Sequence, residues 1–152
     1  MDKTDKTILR MLQQDCTVSI QSIADAVNLS VTPCWKRIKR LEESGIIRDR
    51  VALLDRQKVD LSVSVFVHLK TQRHDNLWLE QFSRRIQEFE EVQECYRMAG
   101  EWDYLLRVVA RDIPAFDRFY KKLVSQVEGL SDVSSSFAME EIKYSTQLPL
   151  EG

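Results

Sequence analysis

Glycine and proline are scarce in this chain, four and three in 152 residues, which excludes collagen-like repeats, Pro-rich linkers and Gly-rich disordered tracts. Cys16, Cys34 and Cys95 are odd in number and lack C-x-x-C or Cys/His spacing, so neither a disulfide framework nor a zinc site is expected. Histidine occurs only at His68 and His74, and no Gly-rich loop is present to cradle a phosphate. No catalytic residue, metal or cofactor is therefore assigned, and the chain does not read as an enzyme. No apolar run approaches the roughly 18 residues of a membrane span. The opening Asp2-Lys3-Thr4-Asp5 lacks the apolar core of a secretory signal, which leaves the cytoplasm as the expected compartment.

What is present is an ordered composition, 43% hydrophobic and 30% charged, suited to one or two small domains. The formal net charge of −2 divides unevenly: residues 1–50 hold nine Lys/Arg against seven Asp/Glu, and residues 51–152 hold 13 against 17. Two modules with different partners follow. So small a positive excess holds a duplex only if it is clustered, or doubled by dimerisation.

Clustering is found between Ser19 and Gly45. Ile20, Ile23, Ala24 and Val27 fall on one face of a 3.6-residue period behind Ser19 as N-cap, and Asn28 suits the left-handed turn that ends such a helix. Ser30 offers a second N-cap, Pro33 sits in a first turn, Val31, Cys34, Ile38 and Leu41 form the next apolar stripe, and Gly45 supplies the stop. Cys34 therefore reads as core. At about 100° per residue, Thr32, Lys36, Lys39, Arg40 and Glu43 lie opposite that stripe, with Pro33 and Arg37 on its flank.

Such a helix can neutralise phosphates and bond guanine edges, with Ser30 and Thr32 placed for phosphate contacts near its N-terminus. A merely solvated basic face, offset by Glu42 and Glu43, is the alternative. Context favours DNA: Thr4 to Gln14 reads as a third helix, and Ile46 to Leu54, carrying Arg48 and Arg50, reads as a strand or wing. The expected unit is a winged helix-turn-helix over 1–50, followed by a wing strand and linker over 51–60.

Residues 61–152 have another rhythm. Leu61, Val63, Val65, Val67 and Leu69 alternate with Ser62, Ser64, Phe66, His68 and Lys70, a half-buried strand. Helical stripes at Trp78, Phe82, Ile86 and Phe89 and at Phe116, Phe119, Tyr120, Leu123 and Val127 alternate with strands at Val92–Met98, Tyr104–Ala110 and about Asp132–Tyr144. The expected fold class is α+β, with a ferredoxin-like βαββαβ second domain. Two helices cover one face of such a sheet, so the open face is expected to pair with a second copy.

The run Leu29-Ser30-Val31-Thr32-Pro33-Cys34-Trp35-Lys36-Arg37-Ile38-Lys39-Arg40-Leu41-Glu42, Gly45-Ile46-Ile47 and Ala52-Leu53-Leu54-Asp55 resemble the Lrp/AsnC (feast/famine) transcriptional regulators. So do Gly100-Glu101-Trp102-Asp103-Tyr104-Leu105-Leu106, similar to that family's G-x-x-D-Y-L-L signature, and Ser135-Ser136-Phe137-Ala138-Met139-Glu140-Glu141-Ile142-Lys143. The resemblance spans almost the whole chain in order. It implies a regulator that binds double-stranded DNA, assembles as a dimer and further as a tetramer or octamer, and responds to an amino acid.

The resemblance also implies an effector pocket at a subunit interface near Gly100, Glu101, Trp102 and Asp103. There Asp103 would take the ammonium group and backbone N–H groups the carboxylate. Ser134, Ser135 and Ser136 would add hydroxyls, and Met98 or Phe137 would line the side-chain pocket. Gly100 and Asp103 are equally suited to building a plain hairpin turn. Trp102 departs from the Phe or Tyr expected at its position. Trp35 and Glu101 look closest to a subgroup that includes regulators of cysteine detoxification, so cysteine is the first effector implied, with leucine or methionine as alternatives. A DNA-wrapping architectural protein of low specificity and a stand-alone amino-acid sensor are the competing readings.

Overall fold

The computed structural model describes residues 1–151 and divides into two compact units, one of 1–53 with 142–151 and one of 54–141. In the first unit α1 (Lys3–Gln14), α2 (Ile20–Ala26) and α3 (Val31–Glu43) enclose Ile8, Leu9, Ile23, Ala24, Cys34, Ile38 and Leu41. Burial of each large aliphatic side chain among these contributes about 1.5–3 kcal/mol. The Asp2 carboxylate accepts from Asp5 N–H at 2.8 Å and the Asp5 carboxylate from Asp2 N–H, which makes a capping box at the start of α1. Ser19 caps α2 by accepting from Ser22 N–H at 3.1 Å. Asn28, at φ 57°, makes the left-handed turn between α2 and α3, and Gly45, at φ 81°, ends α3.

The second unit runs β1 (Val63–Thr71), α4 (Asn76–Glu88), β2 (Val92–Arg97), β3 (Tyr104–Ala110), α5 (Ile113–Gln126) and β4 (Leu130–Phe137). The sheet order is β2-β3-β1-β4 with antiparallel neighbours, the split βαβ topology expected. Alternate residues Val65, Val67 and Leu69 of β1 meet Leu106 and Val108 of β3 under Trp78, Phe82 and Ile86 of α4 and Phe116, Phe119 and Leu123 of α5. Trp78 stacks on Phe82 at 4.9 Å between ring centroids and donates from its indole N–H to Glu128 O at 2.7 Å. Gly129, at φ 83°, closes that corner; a Cβ there would approach the Trp78 indole nitrogen to 3.1 Å.

Three expectations are corrected. No strand forms over 46–54 or in the wing segment 51–60. Val51, Leu53 and Leu54 stay exposed, and residues 55–61 close turns instead, with Leu61 N–H donating to Arg56 O at 2.8 Å. A strand needs ladder partners, and among the described residues no strand pairs with that segment. Leu61 consequently precedes β1 rather than belonging to it. The last strand ends at Phe137, and the chain from Ile142 onward packs with the three-helix unit rather than with the sheet. Among the described residues no helix is long and apolar enough to cross a membrane.

Candidate nucleic-acid interface and effector site

The α3 stripe buries Cys34, Ile38 and Leu41, and this packing turns Thr32, Pro33, Lys36, Lys39 and Arg40 outward. Burial pushes the Cys34 thiol up from its ordinary value, as befits a core sulfur. Ser30 stands at the N-cap without a side-chain capping bond, leaving its hydroxyl for another acceptor or donor. Lys39 Nζ lies 5.9 Å from the ring centroid of Trp35, itself half exposed. Arg48 is exposed beyond the helix.

Arg37 and Arg50 are placed differently. The Arg37 guanidinium turns back to α1, where Nη1 donates to Asp2 Oδ2 at 2.7 Å and to Asp5 Oδ1 at 3.0 Å. The Asp2 hydrogen bond, then that of Asp5, holds Arg37 above its ordinary value, and Arg37 holds Asp2 below the usual carboxylate range. One guanidinium thus joins α3 to the capping box of α1. Arg50 pairs through Nη2 with Glu42 Oε1 at 2.9 Å. Neither pairing is visible from helical periodicity, because the partners lie on another element or beyond the helix end.

In the second unit the residues near the G-x-x-D turn separate into three groups. Trp102 and Glu101 lie on the open face of the sheet: Lys70 Nζ is 4.9 Å from the Trp102 ring centroid and 4.0 Å from Glu101 Oε1. The His68 ring is 5.6 Å from Trp102, and Ser134 and Ser136 stand opposite His68 and Phe66 in the β1–β4 register. His68 and Lys70 were not among the expected site residues. Their alternation in β1 was legible, but only the register places them beside the turn and β4.

Met98 and Asp103 line a separate groove of about 210 Å³ with His74, Asp75, Arg97 and Tyr104. Asp103 is also a builder of the turn: its Oδ2 accepts from Thr71 N–H at 2.9 Å, its N–H donates to Leu69 O, and its carbonyl accepts from Met98 N–H at 2.7 Å. That carboxylate braces β1 where its pairing with β4 shifts register. Gly100, at φ 145°, adopts a conformation few other residues reach, and a Cβ there would meet open space.

Ser135 and Phe137 form the third group. They pair with Val67 and Val65 on the helix-covered side, and the Phe137 ring meets Phe116 edge-on at 5.3 Å. The two-residue period of a strand sends them away from Ser134 and Ser136, so these four do not share one pocket.

The remaining open face carries Phe66, Tyr96 and Leu105 around Arg107, whose Nε donates to Glu94 Oε2 at 2.6 Å while Tyr96 donates to Glu94 Oε1 at 3.0 Å. The Arg107 hydrogen bond holds the Glu94 carboxyl below the usual range. Cys95, on the edge strand, has its thiol pushed up to about 11 by burial although the residue as a whole counts as exposed. A thiol so raised is a poor nucleophile. Among the described residues no group of His, Cys, Asp and Glu could hold a metal ion.

Comparison with known proteins agrees with both halves. Residues 1–48 match the winged helix-turn-helix DNA-binding family and residues 64–148 match the Lrp/AsnC ligand binding domain. The chain is 55% identical over 151 residues to the DNA-binding transcriptional activator DecR of Escherichia coli, covering 99% of each protein. An AsnC family transcriptional regulator from Agrobacterium tumefaciens superposes with TM-score 0.95 at 54% identity, covering 98% of this chain and 97% of that one. A transcriptional regulator from Neisseria meningitidis, solved as a complex with L-Met, superposes with TM-score 0.91 at 36% identity, covering 98% and 96%.

Proposed function

This chain belongs to the Lrp/AsnC family of DNA-binding transcriptional regulators, and from that premise we propose that it reads specific operators of amino-acid metabolism under control of a small amino acid. The observation that carries the DNA half is the outward cluster of Lys36, Lys39 and Arg40 on a helix whose opposite face is core. Thr32, Pro33 and Ser30 at the start of α3 support close approach to a phosphate, and Arg48 extends the cationic surface. Arg37 and Arg50 serve this surface by holding α3 and the segment after it, since their guanidinium groups are occupied by Asp2, Asp5 and Glu42.

For the effector, the supporting group is Lys70, His68, Trp102, Glu101 and Ser134, at the open-face end of β1 and β4. A cation, an aromatic plane, a carboxylate and a hydroxyl suit the two charged ends of an α-amino acid, with Gly100 keeping the turn backbone approachable. Met98 and Asp103 bound the adjoining groove, Asp103 as the brace of the turn. Ser136 lines the same face of β4, whereas Ser135 and Phe137 support the strand from behind. The neighbouring apolar face, with its charges already paired, suits a second copy of the chain and assembly into dimers and larger rings. A complete pocket would then lie at a subunit interface.

Cysteine is the first ligand to test, on the resemblance of the Thr32-Pro33-Cys34-Trp35 string and Glu101 to a cysteine-responsive subgroup; methionine and leucine follow. Titration calorimetry with L-cysteine, L-methionine and L-leucine should give saturable heat with one of the three, weakened at least tenfold by Lys70→Ala. No heat from any of them overturns the effector reading. A gel-shift series against promoter and unrelated fragments tests specificity: retention of one promoter at a salt concentration that abolishes the others excludes the DNA-wrapping alternative.

A further inference from the structure

We propose that residues 142–150 act as a strap through which the effector strand β4 controls the DNA-reading unit, with Gln13 of α1 as the residue that holds it. The inference rests on the effector reading above. β4 carries Ser134 and Ser136 and ends at Phe137; four residues beyond that end Glu141 is pinned by Arg56, whose Nη2 donates to Glu141 Oε2 at 2.6 Å, and from Ile142 the chain belongs to the three-helix unit.

The strap is recognised through its backbone. The Gln13 carboxamide accepts from Leu148 N–H at 2.6 Å and donates to Leu148 O at 3.1 Å, copying the paired bonds that a neighbouring strand would make. One turn earlier on α1, the Arg10 guanidinium grips Leu150 O through Nη2 at 2.7 Å and Nε at 3.2 Å. Apolar contact accompanies these bonds: Leu148 and Leu150 border a groove of about 260 Å³ with Leu9, Leu12, Ile46 and Ile47, and Leu150 packs on the core of the unit. The groove adjoins the segment that continues α3, so its occupancy bears on the element that presents the cations.

Two properties make this contact a switch rather than a fixed part of the core. Leu148 keeps most of its side chain exposed, so docking depends largely on the backbone bonds. Seven residues after the Arg56 pin, the tether holds Leu148 at an effective concentration of order millimolar, and weak intrinsic docking suffices. A ligand that favours one arrangement of β4 then shifts the docked population by its differential affinity for that arrangement.

Gln13→Ala removes both bonds to Leu148 from the helix side, leaving Arg10 on Leu150, without loss of helix propensity. Leu148→Pro removes the donated N–H from the strap side, outside every helix and strand. Hydrogen exchange of the Leu148 amide and the DNA dissociation constant with and without L-cysteine, L-methionine or L-leucine are measured on the full-length chain. Slow exchange of the Leu148 amide in the wild type should become fast in Gln13→Ala, whereas Leu148→Pro has no amide there and is read through the effector ratio. A wild-type effector ratio of order tenfold should fall below about twofold in both, with calorimetric amino-acid binding retained. Fast exchange in the wild type, or an undiminished ratio in the variants, overturns the strap. Amino-acid heat without any change in wild-type DNA affinity overturns the strap alone, whereas absence of heat overturns the effector reading and with it the strap as carrier.

Discussion

The outer face of α3 and the open face of the sheet are both solvent-accessible, yet their charges are handled in opposite ways. On α3 Lys36, Lys39 and Arg40 stand out with no acidic partner within salt-bridge distance among the described residues; on the sheet Arg107 is already bonded to Glu94, amid Phe66, Tyr96 and Leu105. A cation left in water is ready to displace counterions from a phosphate backbone. A pair that is internally satisfied can be buried against protein with less desolvation cost, and the surrounding rings supply the apolar area. The difference underlies the proposal that the first face meets nucleic acid and the other a second copy of the chain.

The sharpest way to break that assignment is to remove the α3 cations. Each lost phosphate contact lowers the slope of log K against log salt by about 0.9 and costs roughly tenfold in affinity near 0.1 M salt. Lys36→Ala, Lys39→Ala and Arg40→Ala together should reduce affinity by about a thousandfold, doubled on the logarithmic scale if both copies of a dimer engage. Fluorescence anisotropy with a promoter duplex across a salt series measures both quantities. An unchanged slope would move the DNA surface elsewhere.

Next in size is Phe66→Arg on the sheet face. Phe66 is 38% exposed in the single chain, so covering the rest in an interface is worth about 0.5–1 kcal/mol per copy, and an uncompensated guanidinium replaces that gain with a larger penalty. Sedimentation equilibrium should show association weakened by at least a hundredfold, and circular dichroism should show an intact fold, because the residue lies outside the helix-covered core. Retention of the native assembly by the variant would remove this face from the interface.

The contrast between the faces also explains what was legible beforehand. The α3 face follows from one local period: Cys34, Ile38 and Leu41 name the buried stripe, and the cations opposite them follow without knowledge of any other element. The same holds for the β1 alternation and the two helical stripes over the sheet, hence for the topology. The effector side depends on register. Ser134 and Ser135 are neighbours in sequence but lie on opposite faces, and His68 meets Trp102 across 34 positions of chain. The unpaired segment 46–54 failed as a strand for a related reason, since its apolar residues describe propensity whereas a ladder requires a partner. Gln13 and Leu148, 135 positions apart, left no sequence signal at all.

The smallest expected effect separates Arg37 from Arg40, three residues apart on one helix. Arg40→Ala should lower the salt slope by about one. Arg37→Ala should leave the slope unchanged and lower the melting temperature by a few degrees, because Asp5, nearly buried, loses its charged donor. The pH dependence supplies an independent sign. Arg37 holds Asp2 below its ordinary value of 3.8, so that part of the clamp is fully present above 3.8 and is lost as the pH falls through the lowered folded value. The difference in melting temperature between wild type and Arg37→Ala should therefore be constant from neutral pH down to about 5 and shrink only below 3.8. A gap that closed near neutrality would implicate another group, and a reduced salt slope in Arg37→Ala would return that guanidinium to the DNA surface.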